Sequence, residues 1–317
     1  MTRRPIVWLV VAVALVGWPW LTDDKFLHHV GVLLCITAIA ASSLHLIVRT
    51  GHVSLAHAAF MGVGAYGSVL SVMTFGLPWI AGLVIGTGAA TALALVVGPI
   101  VLRLTGKYFV LITFLFGEMV RMAIVDQAGF TGGSNGIFNV PPPADFLLST
   151  RAYYYFALAF AVCGVGLCAR ILSSEFGRAI NAIREGERLA ECSGVPVIRI
   201  KVTVFVIACA MAGVAGVLQA HYIRYVGPEG FSIVQSLNLV VMNVIGGMAS
   251  LAGALIGTAF MVTLPELLRG YVNVQQIMFG AILFATMAFL PGGLIELGRR
   301  LGALVRGRRA AASRVAT

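Results

Sequence analysis

Runs of apolar residues long enough to cross a bilayer recur along most of this chain, and they leave few folds open. A helix that spans the hydrocarbon core needs about 20 such residues. Ten segments can be drawn: Pro5–Leu21, Phe26–Val48, Ser54–Thr74, Pro78–Leu102, Tyr108–Val125, Tyr153–Leu172, Val202–Tyr222, Ile233–Gly246, Ala252–Leu268 and Ile277–Leu290. The expected fold is an all-α polytopic integral membrane protein with about ten transmembrane segments. The eighth and ninth segments are short. A nine-span reading treats 233–268 as one re-entrant or broken helix, interrupted at Gly246-Gly247-Met248-Ala249-Ser250.

Composition agrees. Apolar residues make up 59% of the 317 and charged residues only 11%, against roughly 45–50% and 25% in soluble domains. A compact soluble fold could not hide so much apolar surface. The net charge of +10 does not point to nucleic acid. The basic residues lie between apolar segments and in a tail, where they orient membrane helices. With the amino terminus inside and ten spans, 17 of the 22 Lys and Arg residues fall on the inside, six of them in the tail 299–317. Nine full spans would put that tail outside. Both termini are therefore expected to be cytoplasmic. Thr2-Arg3-Arg4 before the first segment resembles a signal peptide, but no small-x-small cleavage site follows, so the segment reads as a retained helix.

Two loops are long enough to have work of their own. The external loop 126–152 is rich in Gly, Asn and Pro and contains Thr131, Gly132, Gly133 and Asn135. The internal loop 173–201 is charged, and its pattern predicts a helix from Phe176 to Glu191, ended by Gly194 and Pro196. On that helix Arg184 and Arg188 sit one turn apart, as do Glu187 and Glu191. Such a helix suits docking of a soluble partner, and equally an ordinary solvated loop.

Chemistry-bearing motifs are scarce. Gly62-Val63-Gly64-Ala65-Tyr66-Gly67 matches GxGxxG but sits inside an apolar span, where small residues let helices approach. Gly82/Gly86 and Gly253/Gly257 are GxxxG pairs with the same reading. No Walker A, HExxH or GxSxG motif is present. The five cysteines form no CxxC, and all but Cys192 lie in apolar segments, so they read as small fillers and not as metal ligands. Glu118 and Arg121, three residues apart on one face of the fifth segment, are either a structural ion pair or part of a polar pathway. Ser54 and His57 open the third segment, and Asn243 precedes the Gly246-Gly247 break. A glycine-broken helix beside a polar group is a common device for exposing backbone to a permeating solute. The third segment and the eighth–ninth pair are both glycine-rich and roughly symmetric about the chain centre.

These residues resemble the LivM-type permease subunits of branched-chain amino-acid ABC importers. The likeness covers nearly the whole chain from about Val48. It rests on Gly51-His52-Val53-Ser54-Leu55-Ala56-His57-Ala58-Ala59-Phe60, Gly106-Lys107-Tyr108-Phe109, Phe116-Gly117-Glu118, Thr131-Gly132-Gly133-Ser134-Asn135-Gly136, Phe176-Gly177-Arg178-Ala179, Ala182-Ile183-Arg184-Glu185, Ala212-Gly213-Val214-Ala215-Gly216, Gly246-Gly247-Met248-Ala249-Ser250-Leu251-Ala252-Gly253 and Leu264-Pro265-Glu266. His52 stands where relatives often have Gln, and Lys107 where many carry a neutral residue.

The resemblance implies a translocation path in a bacterial inner membrane and no catalysis or cofactor in this chain. Its implied partners are a second homologous permease, two cytoplasmic ATPase subunits, a periplasmic binding protein and membrane lipid, with no nucleic acid. Residues 1–298 would form the permease domain. The candidate path is Ser54, His57, Gly62, Gly64, Glu118, Arg121, Asn243, Gly246 and Gly247. Loop 173–201 would couple to the ATPases through Phe176, Gly177, Arg178, Arg184, Glu185, Glu187, Glu191 and Gly194. The importer pattern there is Glu-Ala-Ala followed by a glycine; Arg188-Leu189-Ala190-Glu191-Cys192-Ser193-Gly194 keeps one alanine and the glycine. Relatives also carry urea and short amides. A rival from another class is an ion-coupled secondary carrier working through Glu118 and the histidines.

Overall fold

The computed structural model describes residues 24–268 continuously, with Gly17, Ile277, Met278, Gly280, Ala281, Phe284 and 293–295. Apart from these few residues, the expected first and tenth segments lie outside the described residues, as does the basic tail. The elements are α1 (Lys25–Arg49), α2 (His57–Phe75), α3 (Trp79–Val101), α4 (Lys107–Asp126), α5 (Ala128–Thr131), α6 (Thr150–Ser173), α7 (Glu175–Glu185), α8 (Glu187–Cys192), α9 (Val197–Ile223), α10 (Ile233–Gly246) and α11 (Leu251–Leu267). Among the described residues seven helices are long and apolar enough to cross a membrane, the seventh being α10 with the turn before it (Pro228–Gly246); α11 is apolar but shorter. The chain is thus an all-α multi-pass membrane protein. Among the described residues the one strand pair is a two-residue ribbon, β1 (Ile137–Phe138) against antiparallel β2 (Tyr225–Val226).

α1, α2 and α9 form the buried centre, while α3, α4 and α6 show most of their surface outward. In lipid no hydrophobic force drives helices together, so close approach and dispersion must do it. Glycine permits that approach. A β-carbon on Gly64 would stand 2.5 Å from the Cα of Gly213, and one on Gly86 would stand 2.3 Å from the carbonyl oxygen of Gly64. α2, α3 and α9 therefore meet backbone to backbone, as the glycine spacing predicts. Gly64→Leu is expected to split this junction at a cost of about 3 kcal/mol or more, read as a lower unfolding midpoint of the detergent-solubilised protein.

The 233–268 region is a hairpin and not one interrupted helix. α10 and α11 are about 21 Å and 25 Å long, both less than a ~30 Å hydrocarbon core. They pack so tightly that a β-carbon on Gly257 would lie 1.9 Å from the Met242 carbonyl oxygen. The helix expected in loop 173–201 also differs from its expected form. It divides at Gly186, whose backbone is extended, giving α7 and α8. Glycine is a weak helix former, and the break turns Glu187 toward α9, so Arg184 and Arg188 no longer share one helix.

Neighbouring contacts order the ends. Gly98 lies against Phe205 and Ala90 against Gly213, so α3 and α9 are antiparallel. His29 Nδ1 lies 2.6 Å from the Tyr222 hydroxyl at the opposite end from Arg49. α7, α8 and the α10–α11 turn gather at the Arg49 end. So do Arg103, Lys107, Arg170, Arg199 and Lys201.

Candidate functional site

At the Arg49 end, two turns of one design lie side by side. Gly51-His52-Val53-Ser54-Leu55-Ala56-His57-Ala58 leads into α2, and Gly247-Met248-Ala249-Ser250-Leu251-Ala252-Gly253-Ala254 leads into α11. Both follow the pattern Gly-x-x-Ser-Leu-Ala-x-Ala. Each glycine has positive φ, +85° and +110°, a region open to glycine without steric cost. Each serine then accepts a backbone N–H a few residues on: Ser54 Oγ from Ala56 N at 3.3 Å, and Ser250 Oγ, the N-cap of α11, from Gly253 N at 3.2 Å. The same eight-residue pattern thus leads into both helices.

Two cations reach α7 and α8: Arg49 ties the 247–250 turn to α7, and Lys201 ties α9 to α8. Arg49 Nη1 donates to the Ala249 carbonyl at 2.7 Å, and Nη2 donates to Asn181 Oδ1 on α7. Lys201, only 1% exposed, pairs through Nζ with Glu187 Oε2 of α8 at 2.7 Å. His52 lies under the same cluster, edge-on to Phe109. Burial first, then the Lys201 ammonium, holds the His52 pKa below the usual imidazole range. Sequence reasoning counted Arg49 and Lys201 only as topology charges and passed over Asn181. The available signal was a cation abutting an apolar run, since such a group must find a partner.

The remaining coupling residues take different places. Arg178, Arg184, Glu185, Glu191 and Gly194 face outward, together with Arg188 and Leu189. Phe176 packs against the core. Gly177 is pressed on α6, where a β-carbon would meet the Leu172 carbonyl oxygen at 2.2 Å. Arg178 pairs with Glu175 at 2.8 Å on an exposed face, where such a pair contributes little.

Deeper in the bundle the polar residues stitch helices together. Ser43 Oγ and His57 Nε2 are 2.7 Å apart. Asn243 Nδ2 donates to the Ala41 carbonyl at 3.1 Å, and Asn243 Oδ1 faces His45 Nδ1 at 3.1 Å. Ala58 N donates to Ser236 Oγ at 2.9 Å, and Leu55 N to Thr113 Oγ1 at 3.2 Å. Ser54, His57 and Asn243 are fully buried. Gly62 lies on Phe231, Gly64 on Gly213, and Gly246 on Gly253. These residues sit inside packed junctions in this conformation.

Glu118 and Arg121 lie elsewhere, on α4. Arg121 Nε donates to Glu118 Oε2 at 2.9 Å, and its Nη1 is 3.7 Å from Glu229 in the 228–231 turn. Glu118 borders a narrow cleft with Leu55, Phe114, Phe231, Ser232 and Ser236. Leu55 of loop 50–56 is thus part of the wall beside the charge pair, while Arg49 at the base of the loop is tied to Asn181 of α7. Glu229 escaped the sequence reading because it lies outside any apolar segment.

The 131–136 motif folds on itself. Thr131 Oγ1 donates to the Ile124 carbonyl and accepts from Gly133 N. Gly132 has φ of +74°, and the Asn135 carbonyl accepts from the Tyr225 hydroxyl at 3.1 Å. Among the described residues no group of His, Cys, Asp and Glu is placed to hold a metal ion.

A family model described as branched-chain amino acid transport system / permease component matches residues 27–290. The chain is 30% identical over 318 residues to the high-affinity branched-chain amino acid transport system permease protein LivM of Salmonella typhimurium, covering 92% of this chain and 74% of that one. LivM of Escherichia coli is also 30% identical, over 94% of this chain and 76% of that one. LivH of Escherichia coli, of the same transport system by name, is 28% identical over 38% of this chain and 40% of its own. No solved structure matches. With the match running from α1 past the α10–α11 hairpin, this protein belongs to the family of permease components of branched-chain amino acid transport systems.

Proposed function

We propose that this chain and a second homologous permease form the path of an ATP-driven importer for branched-chain amino acids in a bacterial inner membrane. A periplasmic binding protein delivers the solute, two cytoplasmic ATPase subunits supply the energy, and both termini are cytoplasmic. Residues 1–298 are the permease body and 299–317 a basic tail. The relatives' names support the solute class, and the likeness to LivH supports a permease pair.

The observation that carries the mechanism is the double tether. An ATPase seated on the outward residues of α7 and α8 pulls on Asn181 and Glu187, hence on Arg49 and Lys201. Arg49 stands at the base of loop 50–56, whose Leu55 is part of the cleft wall beside Glu118 and Arg121, and Lys201 lies on α9. ATP shifts the conformational equilibrium only through its differential affinity for the two states, and the tethers pass that difference on. The engaged Glu118–Arg121 pair does not favour a carrier driven by titration of Glu118.

Affinity purification in mild detergent, with mass spectrometry, tests the assembly. A second permease and an ATPase pair should remain bound, and leucine with the binding protein should stimulate ATP hydrolysis. Stimulation by urea and not leucine would move the solute assignment. Recovery of the chain alone, with uptake driven by an ion gradient, would overturn the importer.

Two glycines separate docking from packing. Gly194 closes the α8 region at φ of +81° with open space around it. Gly194→Leu is expected to lower ATP-coupled uptake while membrane insertion is kept. Gly177→Leu must displace α7 from α6 and should lower folded yield as well. Full coupled uptake in both variants would remove the docking assignment.

A further inference from the structure

Three helices show most of their surface outward, α3, α4 and α6, and their outward faces differ in one respect. α3 carries no charged residue, and α6 carries Arg151 and Arg170 only near its two ends. α4 carries Glu118 and Arg121 in its body. Glu118 lies about 16 Å along α4 from Lys107, close to the middle of a span. Both side chains keep part of their surface outward, 24% for Glu118 and 23% for Arg121.

That exposure is on a definite side. Residues three and four apart share a helix face, so Glu118 stands beside Leu115 and Met122, which are both exposed. The next helix on this flank is α10. Ser232, Ile233 and Ser236 line the same narrow cleft as Glu118, so α10 starts at the depth of Glu118 and runs from there to the 247–250 turn. Val234 and Leu237 of α10 are exposed. Asn238, one turn after Val234 and half-buried, makes no side-chain hydrogen bond among the described residues. The α4–α10 flank is thus an apolar surface with an ion pair and an amide set into it at membrane depth. Acyl chains cannot solvate such groups, and ionisable residues within spans face a bundle interior or water for that reason. The apolar faces of α3 and α6 meet lipid at no such cost.

We infer that the α4–α10 flank is the surface on which the second permease seats, enclosing Glu118, Arg121 and Asn238 between the two chains, and that α3 and α6 face lipid. The inference rests on the reading that this chain pairs with a homologous permease, which the likeness to LivH supports. Among the partners of that reading, the ATPases and the binding protein lie outside the membrane, so only the second permease reaches this depth. Arg121 is shared between Glu118 and Glu229, two carboxylates to one guanidinium. The facing surface of the partner therefore supplies hydrogen-bond donors.

A photo-crosslinking amino acid placed in turn at Leu115, Met122 and Leu237 in the membrane-embedded complex tests this, with Val84 on α3 and Val162 on α6, both exposed, as the comparison. After illumination, mass spectrometry should find peptides of the second permease joined at 115, 122 and 237, and only lipid joined at 84 and 162. Leu237→Trp should lower recovery of the second permease in mild detergent by about tenfold, the equivalent of about 1.4 kcal/mol. Val84→Trp should leave that recovery unchanged, and both variants should insert at wild-type yield. Lipid adducts at 115, 122 and 237, in a complex that contains the second permease, overturn the surface and leave the importer standing. Adducts to a second copy of this chain overturn the identity of the occupant. A chain recovered with no second permease removes the pairing itself, and this inference with it.

Discussion

Glu187→Gln should damage this protein far more than Lys201→Met, although each removes one half of the same ion pair. Lys201 is 1% exposed and Glu187 42% exposed. Losing the carboxylate strands an ammonium in the interior, and stranding one partner of a buried pair costs about 3–5 kcal/mol. Losing the ammonium leaves a carboxylate that water already reaches, and methionine fills the apolar volume left behind. The expected order of unfolding midpoints is wild type, then Lys201→Met, then Glu187→Gln well below. The double variant Glu187→Gln/Lys201→Met should recover most of the lost stability, because no buried charge remains. It should not recover coupling. In reconstituted complexes ATP hydrolysis is expected to continue while uptake per ATP falls. Tight coupling in the double variant would show that this tether transmits nothing.

The second large effect concerns α4. Glu118 and Arg121 are 24% and 23% exposed, and Glu118 lies roughly 16 Å along the helix from Lys107, close to the middle of the span. An unpaired charge at such depth costs about 3 kcal/mol. Glu118→Gln leaves Arg121 with only Glu229, 3.7 Å away and 83% exposed, so reduced insertion and yield are expected. The neutral pair Glu118→Gln/Arg121→Gln relieves that cost and should insert normally. Its transport then separates the two roles left open by the sequence. A purely structural pair predicts near-normal uptake at normal expression. A pathway pair predicts at least about a tenfold loss of uptake with ATP hydrolysis still stimulated by the binding protein.

Much of the architecture was legible because lipid imposes a simple rule. A chain must present apolar helices of set length, and that pattern marked α1–α4, α6 and α9 to within a few residues. The GxxxG pairs likewise announced the close contacts of Gly82, Gly86, Gly253 and Gly257. The site was harder to read. Ser54, His57 and Asn243 stand out in the sequence as polar residues in apolar segments, yet His57 meets Ser43 and Asn243 meets Ala41 and His45, joining helices in this conformation, while Ser54 bonds locally to Ala56 N. Arg49 and Lys201 looked like orientation charges, and only their partners Asn181, Ala249 and Glu187 reveal a linkage. Gly186 carried a weak signal for a helix break. That break matters because it points Glu187 at Lys201.

The sequence by itself determined the membrane class, the approximate spans, the charge asymmetry between the two ends and, through ordered motifs, the family. These are properties of local composition and spacing, and hydrophobicity and helical periodicity act over a few turns. The tertiary structure alone decided which glycine meets which backbone, that 233–268 is a hairpin, and that the turn at 247–250 is bound through Arg49 to α7. Those outcomes depend on contacts between residues far apart in the chain, such as Arg49 with Ala249. Pairing of that kind is chosen by the simultaneous fit of several helices, which no local window contains.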